Sequence, residues 1–83
     1  MDSLQLLAEA IEVAKRLGVE IREELIGDGH GGVCRIRGRK CVFLDSRLGP
    51  RERLMQVLSA LRGEPLLAEQ SLRPALRHLL ETR

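Results

Sequence analysis

The residues with the most chemical potential lie in one short stretch, GDGHGGVCRIRGRKCVFLD, at positions 27–45. It contains one histidine, two cysteines, five glycines and four basic side chains. Histidine and cysteine are metal ligands, glycine-rich loops can bind phosphate, and clustered arginine and lysine can follow a nucleic-acid backbone. Spacing and local structure decide which of these chemistries is open to the chain.

A zinc site would use His30, Cys34 and Cys41 as ligands, with His78 as a further candidate. Structural zinc sites favour closely spaced pairs such as C-x-x-C. Here six residues separate the two cysteines, and the histidines are dispersed. Zinc binding is therefore kept as an alternative, and we expect no metal and no other cofactor.

The position of a hairpin turn determines how the two thiols are related. Strand-like runs flank Gly38 and Arg39, which suit a two-residue turn with glycine first. Cys34 and Cys41 are then diagonal neighbours, roughly 7 to 8 Å apart, beyond the disulfide reach of about 4.4 to 6.8 Å. A turn shifted by one position, to Arg37 and Gly38, would place the two cysteines opposite each other.

In either register the two cysteines share the apolar face of the hairpin. We expect the helices to pack on this face and to bury both thiols in the core, since cysteine is among the most buried residue types. The predicted core face consists of Cys34, Ile36, Cys41 and Phe43.

Basic residues concentrate in the middle of the chain and form a candidate nucleic-acid surface. It would comprise the hairpin 35–40 and residues 47–53, with side chains on the outer face of the hairpin and at the start of the following helix. Phe43 is the only aromatic residue, so base-stacking platforms are almost absent. A solvated face is the simpler interpretation. The candidate binding residues are Arg35, Arg37, Lys40, Arg51 and Arg53.

No catalytic arrangement emerges from the remaining residues. The glycine-rich loop, residues 27–32, precedes a strand, whereas phosphate loops lead into the N-terminus of a helix. Serines, histidines and carboxylates do not occur in the spacing of known catalytic motifs. We therefore expect no enzymatic activity.

The elements that carry these residues follow from capping signals and periodicity. Asp2 and Gln5 form a capping box before a helix that ends at Gly18, and VEIREELI alternates as a strand. A second helix runs from Pro50 to Gly63, and a last helix follows Pro74. These signals predict an α+β fold with an N-terminal helix, a small three-stranded antiparallel sheet and two to three C-terminal helices. The helices are expected to pack on one face of the sheet.

Residues 16–62 contain a helix ending in LG, a short strand, a glycine loop, a hairpin and the phrase VFLDSRLGPRER. This order resembles the N-terminal part of the ImmA/IrrE family of zinc metallopeptidases. The resemblance implies that the family's H-E-x-x-H motif would fall on Leu58, Ser59 and Arg62, which supply neither zinc ligands nor a general base. The chain would then be a degenerate, catalytically inactive member, and no functional residue is carried over.

Length and composition limit the function further. The 83 residues, 43% hydrophobic with a net charge of +2, are enough for a single domain, 1–83. No membrane span or secretory signal is evident, so we expect a cytoplasmic protein that does not bind membranes. The wide apolar stripe of the first helix and the leucine-rich C-terminal segment predict a homodimer or a protein partner. The leading hypothesis is a non-enzymatic interaction or regulatory module.

Overall fold

The computed structural model describes residues 2–25 and 32–82 and confirms the α+β class. An N-terminal helix is followed by three strands and two further α-helices, with one turn of 3-10 helix before the last of them. The elements are α1 (Ser3–Arg16), β1 (Glu20–Glu24), β2 (Gly32–Ile36), β3 (Arg39–Asp45), α2 (Pro50–Leu61), the 3-10 turn (Leu67–Glu69) and α3 (Pro74–Glu81).

The helix ends follow the local signals closely. The Gln5 backbone N–H donates to Asp2 Oδ1 at 2.9 Å, and the Asp2 N–H donates to Gln5 Oε1 at 3.0 Å, so the capping box is complete. Gly18 follows the end of α1 with φ +83°, the left-handed conformation that glycine adopts most easily. Helices α2 and α3 both begin at proline, which fits the first helical position because its missing N–H would have no partner there.

The sheet is mixed, so the prediction of three antiparallel strands is wrong. Its strand order is β1–β3–β2, with β1 parallel to β3 and β2 antiparallel to β3. Strand β3, with four consecutive apolar residues at 41–44, lies at the centre, where Cys41, Val42 and Leu44 are fully buried. By contrast β1, with sequence EIREE, is rich in charge and occupies an edge, where charged side chains keep contact with water.

The helices cover the face of β3 that carries Val42 and Leu44, together with Ile21 of β1. The prediction that they pack on the face with Cys34, Ile36, Cys41 and Phe43 is therefore wrong. Both alternating sets of β3 are apolar, so a period of two does not identify the core side. The aliphatic pair, Val42 and Leu44, joins the core that α1 and α2 build. The helical residues of this core are Leu7, Ala10, Val13, Ala14, Leu54, Val57, Leu58, Ala60 and Leu61.

Helix α3 packs against α1, and its Leu76 is fully buried. At its start, the Arg73 N–H donates to Glu9 Oε2 of α1 at 3.0 Å. At its end, the Arg62 guanidinium donates to backbone carbonyls of Leu79 and Thr82, both at 2.9 Å, and of Leu80 at 3.3 Å. A cation thus satisfies the carbonyl groups that the end of a helix leaves free.

Candidate functional site

The hairpin between β2 and β3 turns at Arg37 and Gly38, not at Gly38 and Arg39 as the glycine-first pattern predicted. Both turn residues have positive φ, 54° and 78°, as a type I′ turn requires. Ile36 therefore pairs with Arg39, and Cys34 lies directly opposite Cys41. The sequence was compatible with both turns, and the shift of one residue changes the thiols from diagonal neighbours to direct partners.

The two thiols differ in exposure. Cys41 is 1% exposed on the central strand, so its predicted burial is confirmed, whereas the prediction for Cys34 is wrong because this residue is exposed. Cys34 lies on an edge strand and on the side of the sheet opposite the helices. Burial raises the pKa of the Cys41 thiol above its ordinary value; Glu20, Cys34 and Glu24 raise it further, and Arg22 lowers it.

The side of the sheet opposite the helices is called the open face. Among residues 2–25 and 32–82, the core cluster that the helices build includes no side chain of this face. Across this face the Arg22 guanidinium lies 6.0 Å from the centroid of the Phe43 ring and pairs with Glu20 at 2.7 Å. By the strand register, the open face as a whole carries Glu20, Arg22, Glu24, Cys34, Ile36, Arg39, Cys41, Phe43 and Asp45.

The two edges of the sheet differ in chemistry. Strand β1 presents four charged side chains in five residues, whereas β2, with sequence GVCRI, presents one. Val33 and Ile36 of β2 are 46% and 45% exposed. Because Cys34 and Ile36 belong to the pairs that exchange hydrogen bonds with β3, the N–H and C=O groups of Val33 and Arg35 point away from the sheet. The β2 edge is thus apolar and offers backbone donors and acceptors.

The zinc alternative gains no support from the described part of the chain. No group of three or more histidine, cysteine, aspartate or glutamate side chains within it could hold a metal ion. His30 and most of the glycine-rich loop lie outside the described residues. His78 belongs to α3, which packs on α1 at the helical side of the sheet, whereas the two thiols lie on the open face.

The predicted basic residues are distributed over separate places. Lys40 does not lie on an outer surface, because its Nζ donates to the Ala60 carbonyl at 3.1 Å and pairs with Glu64 at 2.8 Å. Arg53 lies toward the other end of the sheet and pairs with Glu23 at 3.6 Å. The remaining three, Arg35, Arg37 and Arg51, are exposed.

The hairpin turn and the start of α2 lie at opposite ends of β3, since α2 begins after β3 ends and its C-terminus returns to Lys40. From Lys40 to Asp45 the strand extends about 16 Å at about 3.3 Å per residue. The structure therefore does not bring the hairpin 35–40 and residues 51–53 into one patch.

One buried charged residue was not predicted from the sequence. Asp45 is 1% exposed and accepts hydrogen bonds from the Arg47 backbone N–H at 2.9 Å and from its guanidinium Nη2 at 3.0 Å. An aspartate that accepts the N–H two residues later is typical of a turn. This pair organises the connection from β3 to α2, and the Asp-x-Arg spacing before Pro50 was the available signal.

Comparison with family models, curated proteins and solved structures finds no match for this chain. The resemblance to the ImmA/IrrE metallopeptidases stays a prediction. At the positions where that family would hold zinc, Leu58 is fully buried in the core, Ser59 is exposed, and Arg62 binds the carbonyls at the end of α3. These three residues have structural surroundings that require no metal.

Within residues 2–25 and 32–82, no helix has the length and apolar character needed to cross a membrane. The apolar stripe of α1, from which a partner was predicted, is largely used inside the chain: Leu7, Ala10, Val13 and Ala14 are buried, and Leu6 and Ile11 are partly buried. Exposed apolar side chains on β2 provide a different basis for a partner.

Proposed function

We propose that this chain is a non-enzymatic cytoplasmic interaction module that pairs with a second copy of itself through the β2 edge. The observation that carries the proposal is an edge strand with one charge, exposed Val33 and Ile36, and outward-pointing backbone groups. Such an edge is a template for strand addition unless charge, proline or a covering element protects it. Pairing of two copies would extend the three-stranded sheet to six strands.

Strand β2 is favoured over β1 because of their side chains. Glu20, Arg22, Glu23 and Glu24 make the β1 edge highly charged, and charged edges resist pairing. On β2 the only charged residue is Arg35. Addition of a strand there would cover the exposed Val33 and satisfy the outward backbone groups in one step.

A second copy fits β2 because the strand is self-complementary in one antiparallel register. With Cys34 on the twofold axis, Val33 of one copy faces Arg35 of the other, and these two residues carry the outward N–H and C=O groups. A register centred on Arg35 would instead place two guanidinium groups directly opposite each other, which is unfavourable. The proposed register therefore pairs the backbones and separates the like charges.

Charge substitutions at Val33 test this register directly. Val33→Glu places a carboxylate opposite Arg35 of the second copy, and Val33→Arg places a like charge there. Cross-strand pairs contribute about 0.2 to 1 kcal/mol each, and the dimer contains two of them. We expect Val33→Glu to lower the dimer Kd by about 2- to 30-fold and Val33→Arg to raise it by a similar factor, as measured by sedimentation equilibrium.

Met55 supplies the matched control, because its exposure of 45% matches that of the edge residues while it belongs to α2 and not to the β2 strand. Met55→Glu and Met55→Arg change the net charge by the same amounts and should leave the Kd nearly unchanged. Equal effects at the two positions would attribute association to overall charge rather than to the edge. A wild-type chain that sediments as a monomer at high micromolar concentration would contradict the proposal.

A further inference from the structure

We propose that Cys34 and Cys41 form a dithiol site that reacts with small-molecule disulfides and closes into an intrachain cross-strand disulfide. The two residues are direct partners in the antiparallel β2–β3 pair, and both side chains lie on the open face. Both cysteines are free thiols. The inference concerns Cys41, the partner of Cys34 within the same chain, and does not depend on pairing between two copies.

The hairpin register places the thiols within bonding range. Residues that flank a two-residue turn exchange hydrogen bonds, and the pairing type alternates along the strands, so Cys34 and Cys41 form a hydrogen-bonded pair. The Cα atoms of such a pair are about 5.5 Å apart, inside the range of about 4.4 to 6.8 Å found for disulfides. Closure thus requires side-chain rotation rather than movement of either strand.

The difference in exposure sets the order of events. The exposed Cys34 reacts first: its thiolate attacks one sulfur of the small disulfide R–S–S–R, the S–S bond breaks, and one thiol RSH leaves. The Cys41 thiolate then attacks the Cys34 sulfur, which releases the second RSH. Two protein thiols are oxidised and one small disulfide is reduced to two thiols, so atoms and electrons balance.

Charged groups around Cys41 make the second step sensitive to pH. Glu20 and Glu24 of β1 and Cys34 of β2 disfavour the Cys41 thiolate, Arg22 favours it, and burial disfavours it most. The net effect raises the pKa of Cys41, so little of its thiolate is present at neutral pH. We therefore expect a transient mixed disulfide at Cys34 whose closure becomes faster as the pH rises.

The test is to incubate the reduced protein, at a concentration below the dimer Kd, with hydroxyethyl disulfide in native buffer, quench with acid, and measure the intact mass under denaturing conditions. The expected product is a single chain lighter by two hydrogen atoms and without free thiols. Cys41→Ser should stop at one mixed disulfide. Wild-type protein that retains adducts without closing, or that forms disulfide-linked chains through Cys34, would overturn the inference; the linked chains would leave the β2 edge proposal intact.

A matched variant separates register from chain flexibility. Cys34→Ser combined with Arg35→Cys keeps two thiols and shortens the loop between them, but moves one thiol to the other face, opposite Lys40. We expect this variant to accumulate mixed disulfides and to close far more slowly than wild type. Closure at the wild-type rate would show that the register has no role and would overturn the inference.

A second reagent avoids any dependence on variants that fold poorly. A trivalent arsenical such as phenylarsine oxide bridges two nearby thiols, so the folded wild-type chain should bind one equivalent and lose both free thiols together. Retention of a reactive Cys34 thiol after treatment with excess arsenical would contradict the proposed site.

Discussion

Replacing Lys40 by methionine tests whether this cation serves the fold rather than a ligand. Its Nζ donates to the Ala60 carbonyl at 3.1 Å and pairs with Glu64 at 2.8 Å, and the two charged side chains are only 14% and 17% exposed. Lys40→Met keeps the length of the aliphatic chain but leaves a helix-end carbonyl and a partly buried carboxylate without this donor. Hydrogen bonds to charged groups contribute about 1.5 to 3 kcal/mol, and partial exposure favours the lower end of this range.

A loss of about 1 to 2 kcal/mol would be large for a chain of this size, whose total stability should be about 4 to 12 kcal/mol. Urea denaturation followed by circular dichroism should show a midpoint lower by about 1 M with an unchanged slope. Arg51→Met is the matched control, because Arg51 is exposed at the start of α2 and its replacement should change stability by about 0.5 kcal/mol or less.

A double-mutant cycle identifies the partner. Combining Lys40→Met with Glu64→Gln should cost less than the sum of the two single changes, since contacting charges are coupled by about 0.5 kcal/mol or more. A structural role for Lys40 would be contradicted if Lys40→Met shifted the midpoint no more than Arg51→Met, or if the effects of Lys40→Met and Glu64→Gln were additive.

Two further predictions concern the core and the buried thiol. Leu58→Ala should cost about 2 to 5 kcal/mol in urea denaturation because Leu58 is fully buried, whereas Leu66→Ala, at a 54% exposed position, should cost less than about 1 kcal/mol; equal costs would contradict the assigned core. Because the pKa of Cys41 is raised in the folded state, the folded chain binds the thiol proton more tightly than the unfolded chain does. The stabilisation from this proton is therefore complete below the unfolded pKa of about 8.5, and it is lost as the pH rises further. Reduced wild-type protein should therefore lose stability in urea denaturation between neutral and alkaline pH more steeply than Cys41→Ala, and parallel losses would contradict this assignment.

The helices were predictable because their signals are local. The capping box at Asp2 and Gln5, the glycine after α1 and the prolines at the start of α2 and α3 act within one turn of the chain. Each of these features depends on neighbouring residues alone, so the positions of the helices could be predicted without knowledge of the tertiary contacts.

The sheet depended on interactions that the sequence does not display locally. Strand β3 is apolar on both alternating sets, so periodicity could not tell that Val42 rather than Cys41 faces the helices. The parallel pairing of β3 with β1, which places β3 at the centre, joins residues about 20 positions apart in the sequence. A charged β1 and an apolar β3 were visible in the sequence, and together they would have favoured β3 at the centre.

The candidate site depended on one residue of register. Glycine suits either position of a two-residue turn, and only the φ angles of Arg37 and Gly38 identify the type I′ turn. That choice determines whether Cys34 and Cys41 are diagonal or opposite, and whether Val33 points its backbone outward. The composition of the hairpin was therefore informative about the kind of site, while its geometry required the structure.

Hydrogen exchange at β2, measured over a range of protein concentrations, shows whether two copies pair through this edge. The amides of Cys34 and Ile36, which bond to β3, should be protected at every concentration and serve as internal references. The outward amides of Val33 and Arg35 should exchange fast in dilute protein and become protected as the concentration rises through the dimer Kd. Exchange at Val33 and Arg35 that stays fast at all concentrations would contradict pairing of two copies through the β2 edge.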